Sequence, residues 1–128
     1  MPETEKITIN MPAVDLGKID LLVQEGLYSN RTDFIRSAIR SQLDKNAFEI
    51  QQSVNRNSYL IGVLIFNRAD FEKLKQKNEK LKLAIVGLLN LQNDISPELA
   101  AEVVENVRLR GILIASDAVK AALADRIQ

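Results

Sequence analysis

Residues Lys6 to Pro12, KITINMP, alternate strictly, with Ile7, Ile9 and Met11 on one side and Lys6, Thr8 and Asn10 on the other. That is the two-residue period of a half-buried strand. A lone strand cannot satisfy its own backbone donors and acceptors, so it has to pair with something. No second strand-like run lies within the next forty or so residues, and both segments that follow carry helical spacing. The same strand of a second chain is the cheapest partner. Pairing of that kind makes a two-stranded antiparallel ribbon with Lys6, Thr8 and Asn10 of each chain on its open face, and Pro12, which cannot donate to a ladder, ends it.

The two helical segments constrain the assembly further. In AVDLGKIDLLVQEG, Leu16, Ile19, Leu22 and Val23 form one stripe, with Asp15 as the expected N-cap and Gly26 as the left-handed stop. A second helix is expected from about Arg31 to the mid-40s or slightly beyond, with Phe34, Ile35, Ala38, Ile39 and Leu43 on its apolar stripe and Ser29 or Asn30 as its cap. One strand and two helices amount to about forty residues, too few for an independent core. Two copies, with the ribbon across four helices, would close one. A dimer follows from size alone.

The run GLYSNRTDFIRSAIR, preceded by the KITINMP strand and a first helix, resembles the ribbon-helix-helix domain of the CopG, Arc and MetJ superfamily. The likeness covers residues 5 to about 46. It implies an intertwined dimer whose ribbon enters the major groove of double-stranded DNA, the outward strand residues touching base edges. Here those residues are Lys6, Thr8 and Asn10. A lysine donates to guanine O6 and N7, an asparagine offers adenine a bidentate pair, and a threonine bonds either way or meets a thymine methyl. Relatives often carry arginine at the first ribbon position, where this chain has Lys6. The resemblance also implies a phosphate clamp at the start of the second helix, here Ser29, Asn30 and Arg31, where free amides and the positive end of the dipole favour an anion. Arg36 is a further phosphate candidate. Arg36 and Arg40 could instead pair along the helix with Asp33 and Asp44, the expected arrangement for Arg40. Residues 1–46 carry six basic and seven acidic side chains, so any positive surface must come from placement.

Composition closes off other chemistries. Of the 128 residues, 46% are hydrophobic and 27% charged, the formal net charge is zero, and there is no cysteine and no histidine. Bulk electrostatic binding of nucleic acid, disulfides, thiol or imidazole catalysis and metal sites of the zinc or nickel kind are thereby disfavoured. Some relatives bind nickel through histidine and cysteine in a C-terminal domain; this chain has neither. No cofactor and no metal are expected. With no apolar run near the ~18 residues of a membrane span and no signal-like start in MPETEKIT, the expectation is a cytoplasmic protein of bacterial or archaeal type, with no membrane partner.

The second part holds an internal repeat. Domains are expected at 1–54, the ribbon-helix-helix part, and at 55–128, with AFEIQQSVNRNS as the tail of the second helix running into a polar linker and a break near residues 55–58. Gly62, Gly87 and Gly111 are 25 and 24 residues apart, and VLIF, LLNL and ILIA follow them. Cap-like clusters come next (Asn67 with Asp70, Asn93 with Asp94 and Ser96, Ser116 with Asp117), then helices, and a leucine stands twelve positions after each glycine: Leu74, Leu99 and Leu123. Three strand-turn-helix units at this period predict a short parallel sheet with helices on a face, an α/β unit beside the α+β ribbon domain. A single small α/β domain whose elements merely recur is the alternative. Either end strand could pair with another subunit. Lys73, Lys75, Lys77, Lys80 and Lys82 point in different directions on a helix and read as a solvated face.

Three functions fit. The first is a dimeric, sequence-specific DNA-binding transcriptional regulator, a repressor in the leading form, in which the repeat domain links dimers or binds a protein partner or effector. The second is an assembly protein dimerised by its N-terminal part. The third is an antitoxin whose C-terminal half masks a toxin, a role some relatives have; a folded repeat fits it less well. No phosphate loop, dinucleotide fingerprint or nucleophile pairing supports an enzyme.

Overall fold

In the computed structural model the described residues are 4–128. Their elements run α1 (Ala13–Gln24), α2 (Arg31–Lys45), α3 (Ala47–Asn57), β1 (Leu60–Phe66), α4 (Arg68–Gln76), β2 (Leu81–Leu91), α5 (Pro97–Val103), β3 (Val104–Ile114) and α6 (Asp117–Ala122). The chain packs as two units, 4–52 and 53–128.

Within residues 4–52, the segment 4–12 forms neither helix nor strand. The expected strand has no ladder partner among the described residues of the chain, whose one sheet is β1-β2-β3, and a strand exists only through its partner. Helix α1 starts at Ala13 with Pro12 at the N-cap and no side-chain cap. Asp15 is therefore not the cap; it sits in the first turn, where a carboxylate favours the dipole. The helix ends at Gly26, whose φ of 83° lets Gly26 N donate to Val23 O and Leu27 N to Leu22 O, a paired C-terminal closure. Tyr28 meets Phe34 edge-on at 5.0 Å between centroids and ties the turn to α2. In this unit only Ile19 is a buried hydrophobic, while Ile7, Ile9, Val14, Leu21, Leu27, Ile39, Leu43 and Phe48 are exposed.

The stretch expected to pass from helix tail into polar linker is helical as far as Asn57. Asn46 closes α2, its amide donating to Gln42 O and Leu43 O, and Ile50 N donates to Asn46 O, so α3 restarts at once. The break comes at Ser58, where φ is 56° and Tyr59 N bonds back to Val54 O.

Residues 53–128 build a three-stranded parallel sheet in sequence order. The caps form as the residue types require: Asn67 and Asp70 bond reciprocally, and Ser96 and Ser116 accept from Leu99 N and Val119 N, with Pro97 in the first turn of α5. Leu99 and Leu123 are buried, and Leu74 packs on the same core. The strands begin further back than the apolar runs suggested, so each glycine is internal to its strand. Gly62, Gly87 and Gly111 are direct neighbours across the sheet. All three have positive φ, and a Cβ on Gly87 would lie 1.9 Å from Gly62 O. Glycine is obligatory there.

One side of the sheet carries the helices. Leu64, Phe66, Leu83, Leu89, Leu91, Val107, Leu109 and Leu113 join Phe71, Leu99, Ala100, Val103, Val119 and Leu123 in one core, and they all have the same parity along their strands. On the other side, Arg108 reaches Tyr59, its guanidinium carbon 5.4 Å from the ring centroid, and donates to Asn57 O at 2.7 Å. The lysine series is not one helical face: α4 stops at Gln76, Asn78 takes the left-handed turn, and Lys82 belongs to β2. Lys75 and Lys82 pair with Glu102 and Glu105, and Lys80 donates to Glu102 O. Of the two edges expected to be open, β3 is partly occupied by the chain's own end: Val107 N donates to Arg126 O, and Leu109 N to Gln128 O. Arg126 holds that end by donating to Val104 O at 2.9 Å and to Ala101 O.

Candidate nucleic-acid interface

Lys6, Thr8 and Asn10 are all exposed, ahead of α1. The alternation places Ile7 and Ile9 opposite them, and those two are 71% and 58% exposed. Two large β-branched side chains are thus left open to solvent next to each other on one side of the segment.

At the start of α2 the sequence builds a tight cap. Asn30 Oδ1 accepts from Asp33 N at 2.8 Å, and Asp33 Oδ2 accepts from Ser29 N at 2.9 Å. These bonds fix the turn and occupy the amides of residues 29 and 33. A polar groove of about 980 Å³ runs along α2, lined by Ser29, Asn30, Arg36, Ser37, Arg40 and Ser41 among others. It brings together three of the four expected phosphate residues. Arg31 is not part of that lining. Its Nε and Nη2 hold the two carboxylate oxygens of Asp20 on α1 at 2.7 and 2.8 Å, a bidentate fork that leaves its other N–H groups free to donate.

Arg40 is the residue that sequence reasoning placed elsewhere. Among the described residues neither Arg36 with Asp33 nor Arg40 with Asp44 forms an ion pair; Asp33 serves the cap instead. Arg40 lies one turn along from Arg36 in the same groove. The four-residue spacing was the signal, and the competing acid at Asp44 masked it.

The Asp20–Arg31 fork has a measurable signature. The hydrogen bond from Arg31 holds the Asp20 carboxyl below the ordinary 3.8, outweighing an opposing cost of desolvation, with the Arg31 charge adding a smaller pull in the same direction; the reciprocal bond raises Arg31. A carboxylate depressed in the folded state contributes stability above its unfolded pKa and loses that contribution as pH falls through the folded value. A carbon-13 titration of Asp20 will therefore give a midpoint below 3.8, returning toward that value in Arg31→Ala. An unchanged midpoint in the variant would show that the fork does not persist in solution.

Among the described residues no helix is long and apolar enough to cross a membrane, and no cluster of three metal-ligating side chains occurs. Comparison with known proteins decides the family. A sequence profile of the ribbon-helix-helix transcriptional regulator family matches residues 2–120, nearly the whole chain. The protein belongs to that family. The match extends past residues 4–52 and through the three-stranded sheet, so it takes in both units. Two curated relatives match about a third of the chain each. The transcriptional regulator CdrS of Halobacterium salinarum is 31% identical over 42 residues, covering 33% of this chain and 76% of CdrS. The uncharacterised protein MJ1679 of Methanocaldococcus jannaschii is 37% identical over 49 residues, covering 38% of this chain, and the matched part spans 50% of that relative's length. No solved structure matches.

Proposed function

We propose that this ribbon-helix-helix regulator is a homodimer that binds double-stranded DNA sequence-specifically and represses transcription by occupying its operator. Two copies of residues 6–12 pair as an antiparallel ribbon in the major groove. Lys6, Thr8 and Asn10 face base edges, while Ser29, Asn30, Arg31 and Arg36 hold the flanking phosphates. The observation that carries this is the exposed apolar half, Ile7 and Ile9, set opposite three polar side chains in a unit with one buried hydrophobic. Family membership supports the regulatory role, and CdrS, a relative over 42 residues, is named a transcriptional regulator. In this reading residues 1–54 dimerise and bind DNA, and residues 55–128 carry a further interaction.

Affinity measurements separate the two kinds of contact. Asn10→Ala and Lys6→Ala lower the preference for the operator over unrelated DNA by about ten- to a hundredfold, the worth of a bidentate base pair contact. Arg36→Ala weakens all sequences alike, and the slope of log K against log salt becomes shallower by about 2 for the two copies in a dimer. Fluorescence anisotropy with the gene's own upstream DNA reads both. Binding without sequence or salt dependence would reject the proposal.

A further inference from the structure

Parallel sheets are normally covered on both faces, because crossover helices bury them and because their strands are apolar throughout. Helices α4, α5 and α6 build their core on only one face of this sheet. Across the other face run three rows in register: Ile61, Val86 and Arg110; Val63, Leu88 and Ile112; Ile65, Asn90 and Ile114. On the edge strand Ile61, Val63 and Ile65 are 59%, 45% and 55% exposed. The charged residues of the face, Lys82, Arg108 and Arg110, stand toward one end of it, with Lys82 paired to Glu105. An uncharged, apolar edge of this kind invites uncontrolled pairing unless something covers it.

We infer that this face packs against the same face of the sister chain within the ribbon-joined dimer, so that each dimer is closed at two places. The inference rests on the ribbon dimer proposed above. Size argues for the tethered partner. The open part of the face is the β1 row, Ile61, Val63 and Ile65, because Leu88 and Asn90 beside it are already buried at 4% and 2%, and a single row is well short of the ~800 Å² per partner of a free-standing complex. Two such rows would separate if the chains met only by diffusion. Tethering through the ribbon raises their mutual concentration to about the millimolar range, where a small apolar contact is sufficient. The sister chain is also the one surface of matching apolar character that is always present.

The chain has no cysteine, so single introduced thiols report cleanly. In the full-length protein, Thr8→Cys marks the ribbon, Ile65→Cys the open face, and Lys120→Cys, exposed on α6, serves as the control. Each is treated with a short bis-maleimide at two protein concentrations an order of magnitude apart, and circular dichroism verifies folding. Positions 8 and 65 are expected to give covalent dimers in yields independent of concentration, and position 120 little. Adding Val63→Glu, which would bury an unpaired charge, lowers the yield at position 65 at least about tenfold and leaves that at position 8 unchanged. A link at position 8 with no more at 65 than at 120 would overturn the face pairing alone. A yield at 65 that rises with concentration would overturn pairing within the dimer. Absence of a link at position 8 would overturn the ribbon itself, whatever position 65 does.

Discussion

Gly87→Ala will remove most of the stability of the C-terminal unit, at a cost of about 4 kcal/mol or more, against the ~5–15 kcal/mol that a whole domain commands. An alanine Cβ there would lie 1.9 Å from Gly62 O and 3.0 Å from Gly62 C, both main-chain atoms of the paired strand, at a φ of +144°. No rotamer relieves a clash between a Cβ and a backbone carbonyl. The strands have to move apart by more than an ångström, which breaks the β1–β2 ladder on either side. Gly111→Ala meets Gly87 O at 2.0 Å and will behave alike. Gly62 provides the internal comparison: its φ is +151°, yet a Cβ would meet nothing within 4 Å. There the cost is backbone strain alone, about 1–3 kcal/mol. Urea denaturation monitored by circular dichroism should rank Gly87 and Gly111 far ahead of Gly62. Equal losses at all three would mean that the strands do not approach as closely as the register requires.

Ile9→Asp will abolish dimerisation and, with it, DNA binding. Ile9 is 58% exposed in the single chain, Ile7 is 71% exposed, and the helices beside them leave Leu21, Ile39 and Leu43 open. Burying such a side chain contributes about 1.5–3 kcal/mol. The unit has almost no other source of stability, since Ile19 alone of its hydrophobics is buried without a partner. In the proposed ribbon an aspartate at position 9 would bring two like charges, one per chain, into a contact built from apolar side chains. Light scattering should report a monomer at micromolar concentration, operator affinity should fall more than about a hundredfold, and the helical signal of residues 13–45 should weaken. A dimer of unchanged mass that still binds DNA would place the interface elsewhere.

The parts of the fold that could be read in advance are those set by local chemistry. Asn30, Asn67, Ser96 and Ser116 cap helices because each places an oxygen over orphan amides. The glycine spacing anticipated a real alignment of three strands, since only glycine accepts that approach. Strand length was harder. Charged residues in β2 and β3, among them Lys82, Glu105, Arg108 and Arg110, lie at exposed or bridging positions and interrupt the apolar runs, so both strands looked shorter than their eleven residues. Helix α3 was hidden by its polar composition, and the C-terminal pairing of Ile127 with Val107 is a long-range contact with no local sign. For the proposed interface, alternation put Lys6, Thr8 and Asn10 on one face, and only the family resemblance gave that face a role. The Asp20–Arg31 fork joins residues eleven apart on different helices, which no helical spacing rule finds.

The most direct measurement is selection of binding sites from random duplex DNA by wild type, Lys6→Ala and Asn10→Ala, sequenced in parallel. A two-fold ribbon reading bases from the major groove predicts an enriched motif with two-fold-related half-sites. Each substitution should erase the preference at one symmetric pair of positions and leave the rest intact. Enrichment of no motif, or of one that both substitutions leave untouched, would contradict the assignment of Lys6–Pro12 as the element that reads DNA.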